Sequence, residues 1–182
     1  MQKSPIAELP EDTISLALSD FRVTTADGTQ AEDEDIVVLL RRARDVLDMD
    51  IIFIGEIAQG RQVLHLVDTR LAEDMRLQGL STDMAATYCR LMLEARIPQV
   101  VPDTARVEVL RGMAATAALD IKAYLSVPVV LPGGEIYGTV CCISHEVYPG
   151  LAERHARSLS GVAELVAEMV LLGRVLQTRT PS

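Results

Sequence analysis

The sequence predicts an α+β fold built around an antiparallel sheet. Short apolar runs at 51–54 and 63–67 flank a turn, and a second pair of runs at 124–130 and 136–144 flanks a Pro-Gly-Gly turn. Such pairs are typical of β-hairpins, whose strands are antiparallel. Helical periodicity occurs at both ends and in the middle, so the predicted order is α-β-β-α-β-α-β-β-α. A doubly wound parallel sheet would need a crossover helix between every two strands.

The N-terminal part is predicted to be an extension followed by the domain proper. The extension covers 1–33 and contains a short helix after Pro10; the polar, acidic stretch 24–35 indicates a linker. The domain is expected to span 34–176, leaving 177–182 as a tail. The apolar face of the short helix consists of Ile14, Ala17, Leu18 and Phe21, and that of the first domain helix of Ile36, Leu39, Leu40, Ala43, Val46 and Leu47.

Two helices and a short strand are predicted between the hairpins. Ser81 is expected to cap the first of these helices, which ends at Pro98. Residues 99–101 form the short strand. Asp103 is expected to cap the second helix, which extends to about Leu119. The apolar face of the first helix consists of Met84, Tyr88, Leu91 and Ala95.

Charge and cysteine content exclude several functional classes. The net charge is −9, from 26 acidic and 17 basic side chains, which disfavours nucleic-acid partners and anionic membrane surfaces. Three cysteines do not form a disulfide framework and indicate a reducing compartment. The first ten residues lack the apolar core of a signal peptide, and no apolar run can span a bilayer. A cytoplasmic protein is therefore expected.

Several segments together resemble the GAF domain of bacterial signalling proteins. They are Tyr88-Cys89-Arg90, 97–104, 121–129 and 134–142, followed by the closing helix. The similarity is greatest to a bacterial subgroup often fused to cyclic-di-GMP enzymes, and it covers 34–175 in element order.

The resemblance implies a sheet with the N- and C-terminal helices on one face and a ligand pocket under short helices and loops on the other. It also implies a regulatory sensory domain without catalytic activity. Such a domain binds a small molecule and signals through its terminal helices to a partner or a fused effector. The family is functionally diverse, so the resemblance does not identify the ligand or a cofactor.

Seven residues are candidates for binding this ligand, and no catalytic or metal-binding residue is assigned. The resemblance places the helix of Tyr88 and the turn of Asp103 near the pocket. The Asp103 carboxylate either caps its helix or leaves the helix N–H groups to an anion, and we favour the cap. Tyr124 combines an apolar ring with a polar tip. The candidates are Tyr88, Cys89, Asp103, Met113, Thr116, Tyr124 and Cys142.

The cysteines permit two alternative interpretations. Cys89 either senses redox state or fills apolar space, and we favour the second. Cys141 and Cys142 are adjacent in a strand, so their side chains point to opposite faces and do not share a metal ion. A thiol-dependent enzyme like the free methionine sulfoxide reductases of the GAF family would require converging cysteines, a pattern the sequence does not reveal. A structural dimerisation module with a filled core is the other alternative.

The histidines indicate no chromophore site. His65 lies between two leucines of an apolar strand and is expected to be a partly buried histidine rather than a haem ligand. His145 and His155 are expected on the surface. Some GAF relatives bind a linear tetrapyrrole at a Cys-His pair, which this chain lacks. We therefore expect no visible absorbance.

The closing helix, from about 151 to 176, is predicted to form a homodimer. Its apolar residues cover more of the circumference than one sheet can bury. Leu165 and Leu172 lie on a different side of the helix from the other apolar residues. The apolar face of the predicted N-terminal helix could instead cover this surface within the same chain. The predicted seam consists of Leu159, Val162, Val166, Met169, Gly173 and Leu176.

Overall fold

The computed structural model describes residues 29–179, with side chains described for 35–72 and 76–173. The helices are α1 (Thr29–Leu47), α2 (Tyr88–Leu93), α3 (Glu108–Arg111), α4 (Ala114–Ala118) and α5 (Glu153–Arg179). The strands are β1 (Ile51–Ala58), β2 (Arg61–Thr69), β3 (Ser81–Asp83), β4 (Val100–Val101), β5 (Ala123–Val130) and β6 (Ile136–Ser144). Because α1 begins at Thr29, part of the predicted linker is helical. The predicted helix near Pro10 lies outside the described residues.

All strands form one antiparallel sheet in the order β3-β2-β1-β6-β5-β4. The two predicted hairpins, β1–β2 and β5–β6, are joined at the centre, where Phe53 of β1 is opposite Cys141 of β6. This arrangement confirms the predicted α+β fold with its antiparallel sheet.

The sheet separates two apolar cores. Ile52 and Ile54 of β1 face the long helices α1 and α5, whereas Ile51 and Phe53 face the short helices α2 and α3. This alternation follows from the two-residue period of a strand, whose successive side chains point to opposite faces. We call the first the helix-side core and the second the pocket-side core.

A β-bulge in β2 determines which of its side chains enter each core. Leu64 pairs with Gly55 and Leu66 with the preceding residue of β1, so His65 is an extra residue without a partner. Bulges shift the alternation of a strand by one position. Leu64 therefore faces the pocket-side core and Leu66 the helix-side core. His65 itself is exposed, so the expected partial burial was wrong, and its side chain is not in a pocket.

The middle of the chain differs from the prediction. Ser81 belongs to an edge strand rather than a helix cap, and Thr87 caps α2 by accepting a hydrogen bond from Arg90 N at 3.2 Å. The single helix predicted after Asp103 is divided into a 3₁₀ turn, α3 and α4. Gly112 ends α3 and is a weak helix former, which favours the break.

A buried ion pair connects α1 to β2 across the helix-side core. Arg44 Nε lies 2.8 Å from Asp68 Oδ2, and both side chains are almost fully buried. Arg41 Nε donates a hydrogen bond to Asp68 Oδ1 at 3.0 Å. The bulge at His65 turns Asp68 toward α1, since an uninterrupted alternation would place it on the same face as Leu64.

The closing helix packs on the sheet through the stripe that was predicted to contact a partner. Leu159, Val162, Val166 and Met169 are all buried in the helix-side core. The prediction is therefore wrong for these four residues, because the helix-side core covers them. Of the other two predicted seam residues, Gly173 is half-buried and Leu176 lies outside the residues whose side chains are described. Leu165 is half-buried, and Leu171 and Leu172 are exposed. None of the helices in the described part of the chain combines the length and the hydropathy that spanning a bilayer requires.

Candidate functional site

The pocket-side core contains a group of buried polar side chains beneath α2. Their exposed fractions are between 0% and 4%, in a layer that otherwise consists of aliphatic and aromatic groups. Buried polar groups are stable only when they are hydrogen-bonded, so each needs a partner within the group. This polar cluster consists of Gln62, Cys89, Tyr124, Ser126, Thr139 and Cys141.

Two thiols meet at the centre of the polar cluster. Cys89 Sγ and Cys141 Sγ are 3.2 Å apart, and both cysteines are free. Thr87 starts α2, which places Cys89 in the first turn, where it packs against the sheet. Cys141 lies on β6, next to β1 at the middle of the sheet. The sequence reasoning had not found this convergence of thiols.

Four hydrogen-bonding groups surround Cys89, those of Gln62, Thr139, Tyr124 and Cys141. Gln62 Nε2 donates to Cys89 Sγ at 2.8 Å and Thr139 Oγ1 donates at 3.2 Å, while the Tyr124 hydroxyl lies at 3.4 Å. The hydrogen bond with Cys141, followed by those of Thr139, Tyr124 and Gln62, lowers the pKa of Cys89, although burial opposes this shift. Neutral donors thus favour the thiolate of Cys89.

The pKa values of the other two cysteines are raised. Burial, then the hydrogen bond and the charge of Cys89, raise the pKa of Cys141 well above its usual value. Cys89 is therefore the first of the two thiols to ionise, and Cys141 keeps its proton. Burial alone raises the pKa of Cys142, which lies in the helix-side core.

Gly55 provides the space for the Gln62 side chain. A Cβ atom at Gly55 would lie 2.3 Å from Gln62 Nε2, which is far inside van der Waals contact. The absence of a side chain at this position therefore lets the Gln62 amide reach Cys89.

A second hydrogen-bonded chain borders the polar cluster. The Tyr88 ring contacts the Tyr124 ring edge-on, with centroids 5.0 Å apart. The Thr116 hydroxyl donates to the Leu110 carbonyl and is also hydrogen-bonded to the Tyr88 hydroxyl. Since the Thr116 proton is used, the Tyr88 hydroxyl donates to Thr116. Burial raises the pKa of Tyr88. Met113 packs, half-buried, against the same core.

Five of the seven predicted ligand residues border the pocket-side core, and two do not. Asp103 lines a separate groove of about 410 Å³ beside β4. Its Oδ1 accepts a hydrogen bond from Ala105 N at 3.0 Å, so Asp103 caps a 3₁₀ turn, as favoured. Cys142 lies on the other face of the sheet and is corrected to a core residue, because Cys141 takes the pocket side. The five are Tyr88, Cys89, Met113, Thr116 and Tyr124.

Sequence reasoning missed four members of the polar cluster. Thr139 and Cys141 are two residues apart on β6, and Ser126 pairs directly with Cys141 across the β5–β6 hairpin. The sequence signal that could have revealed them is the presence of polar residues within two otherwise apolar strands. The fourth member, Gln62, is 77 residues from Thr139, so only the folded sheet brings the two together.

The other two histidines, His145 and His155, each have a ring nitrogen within hydrogen-bond distance of a backbone group. His155 Nδ1 accepts a hydrogen bond from Ala152 N at 2.9 Å, and its ring lies 5.9 Å from that of Tyr148. His155 is half-buried, which is less exposed than expected, and this burial lowers its pKa. His145 Nδ1 lies 3.1 Å from the Asp120 carbonyl. In the described part of the chain, no three His, Cys, Asp or Glu side chains are arranged to hold a metal ion.

Comparison with solved structures supports the fold. The GAF domain of an Acinetobacter phosphoenolpyruvate-protein phosphotransferase is 11% identical, with a TM-score of 0.68 over 92% of this chain and 96% of that chain. The corresponding GAF domain from Coxiella burnetii is 16% identical, with a TM-score of 0.67 over 92% and 94%. The phycoerythrobilin-bound GAF domain of a cyanobacterial phytochrome is 13% identical, with a TM-score of 0.65 over 94% and 100%.

Comparison of the sequence identifies the family. No curated protein matches the chain. The family model for the GAF domain matches residues 36–170, which is most of the chain and includes both hairpins. The chain therefore belongs to the GAF domain family.

Proposed function

We propose that this chain is a sensory regulatory domain that binds a small polar molecule at the polar cluster. The observation that carries the proposal is the group of buried polar side chains within an apolar core. Ligand sites typically combine an apolar lining with a few converging polar groups. The cyanobacterial GAF domain described above holds a small molecule, phycoerythrobilin.

The chemistry of the polar cluster limits the class of ligand. Its members offer one amide, three hydroxyl groups and two thiols, and the cluster includes no lysine or arginine. A neutral molecule with hydrogen-bonding groups therefore suits the cluster better than a phosphate-bearing one, which is usually bound by arginine or lysine. These polar groups bond to one another in the structure, so a ligand has to displace those bonds and part α2 from the sheet.

The central strands provide a route for the signal. Cys141 and Cys142 are adjacent on β6, and they face the polar cluster and the helix-side core respectively. A shift of β6 on ligand binding would therefore be transmitted to α1 and α5, which pack on its other face. We propose that these helices act on a partner or fused effector, for which a cyclic-di-GMP enzyme is a candidate, and that the domain is not itself catalytic.

Ligand binding can be tested with native mass spectrometry and a visible spectrum of the purified chain. We expect an additional mass that is released on denaturation, and no visible absorbance. A Ser126→Ala, Thr139→Val double variant removes two cluster hydroxyls, which should weaken binding at least about tenfold because each buried hydrogen bond contributes roughly 1 kcal/mol. Ser160→Ala on α5, outside the cluster, is the matched control and should bind normally.

A chain that retains no molecule, and that is not stabilised by any compound in a thermal-shift screen of neutral metabolites, would contradict ligand binding. That outcome would favour the structural dimerisation module. Turnover of methionine sulfoxide that is lost in Cys89→Ser would instead favour the thiol-dependent enzyme.

We further propose that α5 pairs with a second copy of the chain. The side chains of Leu171 and Leu172 are 39% and 37% exposed, whereas Leu159, Val162, Val166 and Met169 of the same helix are buried. A Leu171→Glu, Leu172→Glu double variant is expected to sediment as a monomer and the parent as a dimer, because two buried charges would oppose pairing. Leu71→Glu, Leu80→Glu is the matched control at exposed leucines elsewhere. Met169 is unsuitable for this test because it is buried in the core.

A dimer that persists in the Leu171→Glu, Leu172→Glu variant would place the interface elsewhere. A parent that remains monomeric at high concentration would contradict pairing altogether.

A further inference from the structure

We propose that Cys89 and Cys141 form a peroxide-responsive thiol pair that closes reversibly to a disulfide joining α2 to β6. This modification site goes beyond small-molecule sensing and does not depend on it. The proposal rests on the convergence of the two thiols, on the donors around one of them, and on the exclusion of the third cysteine from the site.

The geometry requires only a short movement. The two sulfur atoms are 3.2 Å apart, so a disulfide bond of about 2.05 Å requires an approach of roughly 1 Å. Cys141 is fixed in the centre of the sheet, between β1 and β5. Cys89 lies on α2, a helix of six residues, which can move as a unit toward β6.

The surroundings give the two thiols different roles. Gln62 Nε2 and Thr139 Oγ1 donate hydrogen bonds to Cys89 Sγ and favour its thiolate, which is the nucleophilic form. Cys141 Sγ donates a hydrogen bond to Thr139 Oγ1 at 3.1 Å, and burial keeps Cys141 protonated. Cys89 is therefore the attacking thiol and Cys141 the resolving one.

The reaction balances with hydrogen peroxide as the oxidant. The Cys89 thiolate attacks one peroxide oxygen, the O–O bond breaks, and Cys89 sulfenic acid and hydroxide are produced. Hydroxide takes the Cys141 proton and becomes water. The Cys141 thiolate then attacks Cys89 Sγ, and the S–O bond breaks. The departing hydroxide takes a proton from solvent, so two thiol sulfurs are oxidised and one peroxide is reduced to two waters. A dithiol reductant reverses the change.

Because both cysteines are buried, access to the site determines how fast peroxide reacts and which cysteines are oxidised. Peroxide is close to water in size and reaches Cys89 when α2 separates transiently from the sheet. Cys142 follows Cys141 in sequence but points into the helix-side core, where burial raises its pKa and no other cysteine is present. It is therefore expected to stay reduced.

The disulfide should stabilise the domain. The two cysteines are 52 positions apart, so the bond closes a long loop of the unfolded chain. Closing a loop of this length is expected to raise Tm by about 5–10 °C, less any strain from moving α2. Amide hydrogens of α2 should exchange more slowly for the same reason.

The experiment treats the reduced full chain with millimolar hydrogen peroxide and follows the intact mass and the peptide map. We expect a mass lower by two hydrogens, a Cys89–Cys141 linked peptide, and recovery of the starting mass with dithiothreitol. Cys142→Ser is the matched control and should form the same bond. Cys89→Ser and Cys141→Ser should not form it, with circular dichroism confirming that both are folded.

Gln62→Leu provides a second measurement that does not remove a cysteine. The thiols of this variant should be oxidised several-fold more slowly at neutral pH, because the Cys89 thiolate loses one of its hydrogen-bond donors. The difference should shrink at alkaline pH, where Cys89 is ionised in both proteins.

Three outcomes would overturn the proposal. The first is a mass that does not change under these conditions, and the second is a bond that includes Cys142. The third is an oxygenated Cys89 that does not link to Cys141. A Gln62→Leu variant that reacts at the parent rate at every pH would overturn the role assigned to Cys89. Any retained molecule is removed before oxidation, so these results do not depend on whether a small molecule binds the polar cluster.

Discussion

Replacing Gly138 with alanine is expected to destabilise the domain by about 3 kcal/mol, the upper part of the range for overpacked interiors. Gly138 of β6 pairs with Glu56 of β1 at the centre of the sheet. An added Cβ would lie 2.1 Å from the Gly55 carbonyl oxygen and 3.0 Å from its carbonyl carbon. These are backbone atoms held in the ladder, so the clash can be relieved only by separating β1 from β6.

Urea denaturation followed by circular dichroism measures this effect. Gly161→Ala is the matched control, since a Cβ there meets no atom within 4 Å and Gly161 lies inside α5. Alanine is the better helix former, so the control should be stabilised by about 0.5–1 kcal/mol. A Gly138→Ala variant within about 0.5 kcal/mol of the parent would show that the two central strands can separate at little cost.

Removing the Asp68 carboxylate is expected to cost about 3 kcal/mol, because the buried Arg44 would lose its buried partner and keep only its ion pair with the exposed Asp45. The Asp68→Ala variant loses the 2.8 Å contact with Arg44 and the hydrogen bond from Arg41. Since this pair connects α1 to β2, α1 should lose protection from hydrogen exchange before the sheet does. The measurement is the midpoint of urea unfolding together with exchange rates in α1.

A double variant distinguishes the contribution of the ion pair to stability from the contribution of the volume that the two side chains fill. An Arg44→Met, Asp68→Leu variant replaces both charges with apolar groups and should recover most of the lost stability. Glu94→Ala is the control, since the Arg90–Glu94 pair is exposed and should contribute less than about 1 kcal/mol. A double variant as unstable as Asp68→Ala would indicate that stability was lost through packing and not through the loss of the buried partner of Arg44.

Much of the fold was predictable because its signals are local. The two hairpins each consist of apolar runs beside a turn, and the structure pairs them over 51–69 and 123–144 as predicted. The closing helix was predictable for the same reason. The middle of the chain was not, because an edge strand such as β3 and short helices such as α3 and α4 have too few residues for a clear period.

The candidate site was predictable only in part. Tyr88 and Tyr124 were identified through the resemblance, and they do meet, ring to ring. Cys142 was predicted as a ligand residue, although Cys141 is the cysteine of β6 that faces the pocket side. Adjacent strand residues point to opposite faces, and the sequence does not say which face holds the pocket. That choice depends on where α1 and α5 pack, which is a property of the whole fold.

The sequence by itself determined the class of fold, the hairpin pairs and the long apolar helices, since each arises from periodicity and turn residues over a few neighbouring positions. The tertiary structure alone decided which side chains meet. The bulge at His65 turns Gln62 toward Cys89 and Asp68 toward Arg44, although the even spacing of Gln62 and Asp68 would put both on one face of a regular strand. The physical reason is that one extra residue reverses the alternation of a strand, and its effect appears only when the partner strand fixes the register.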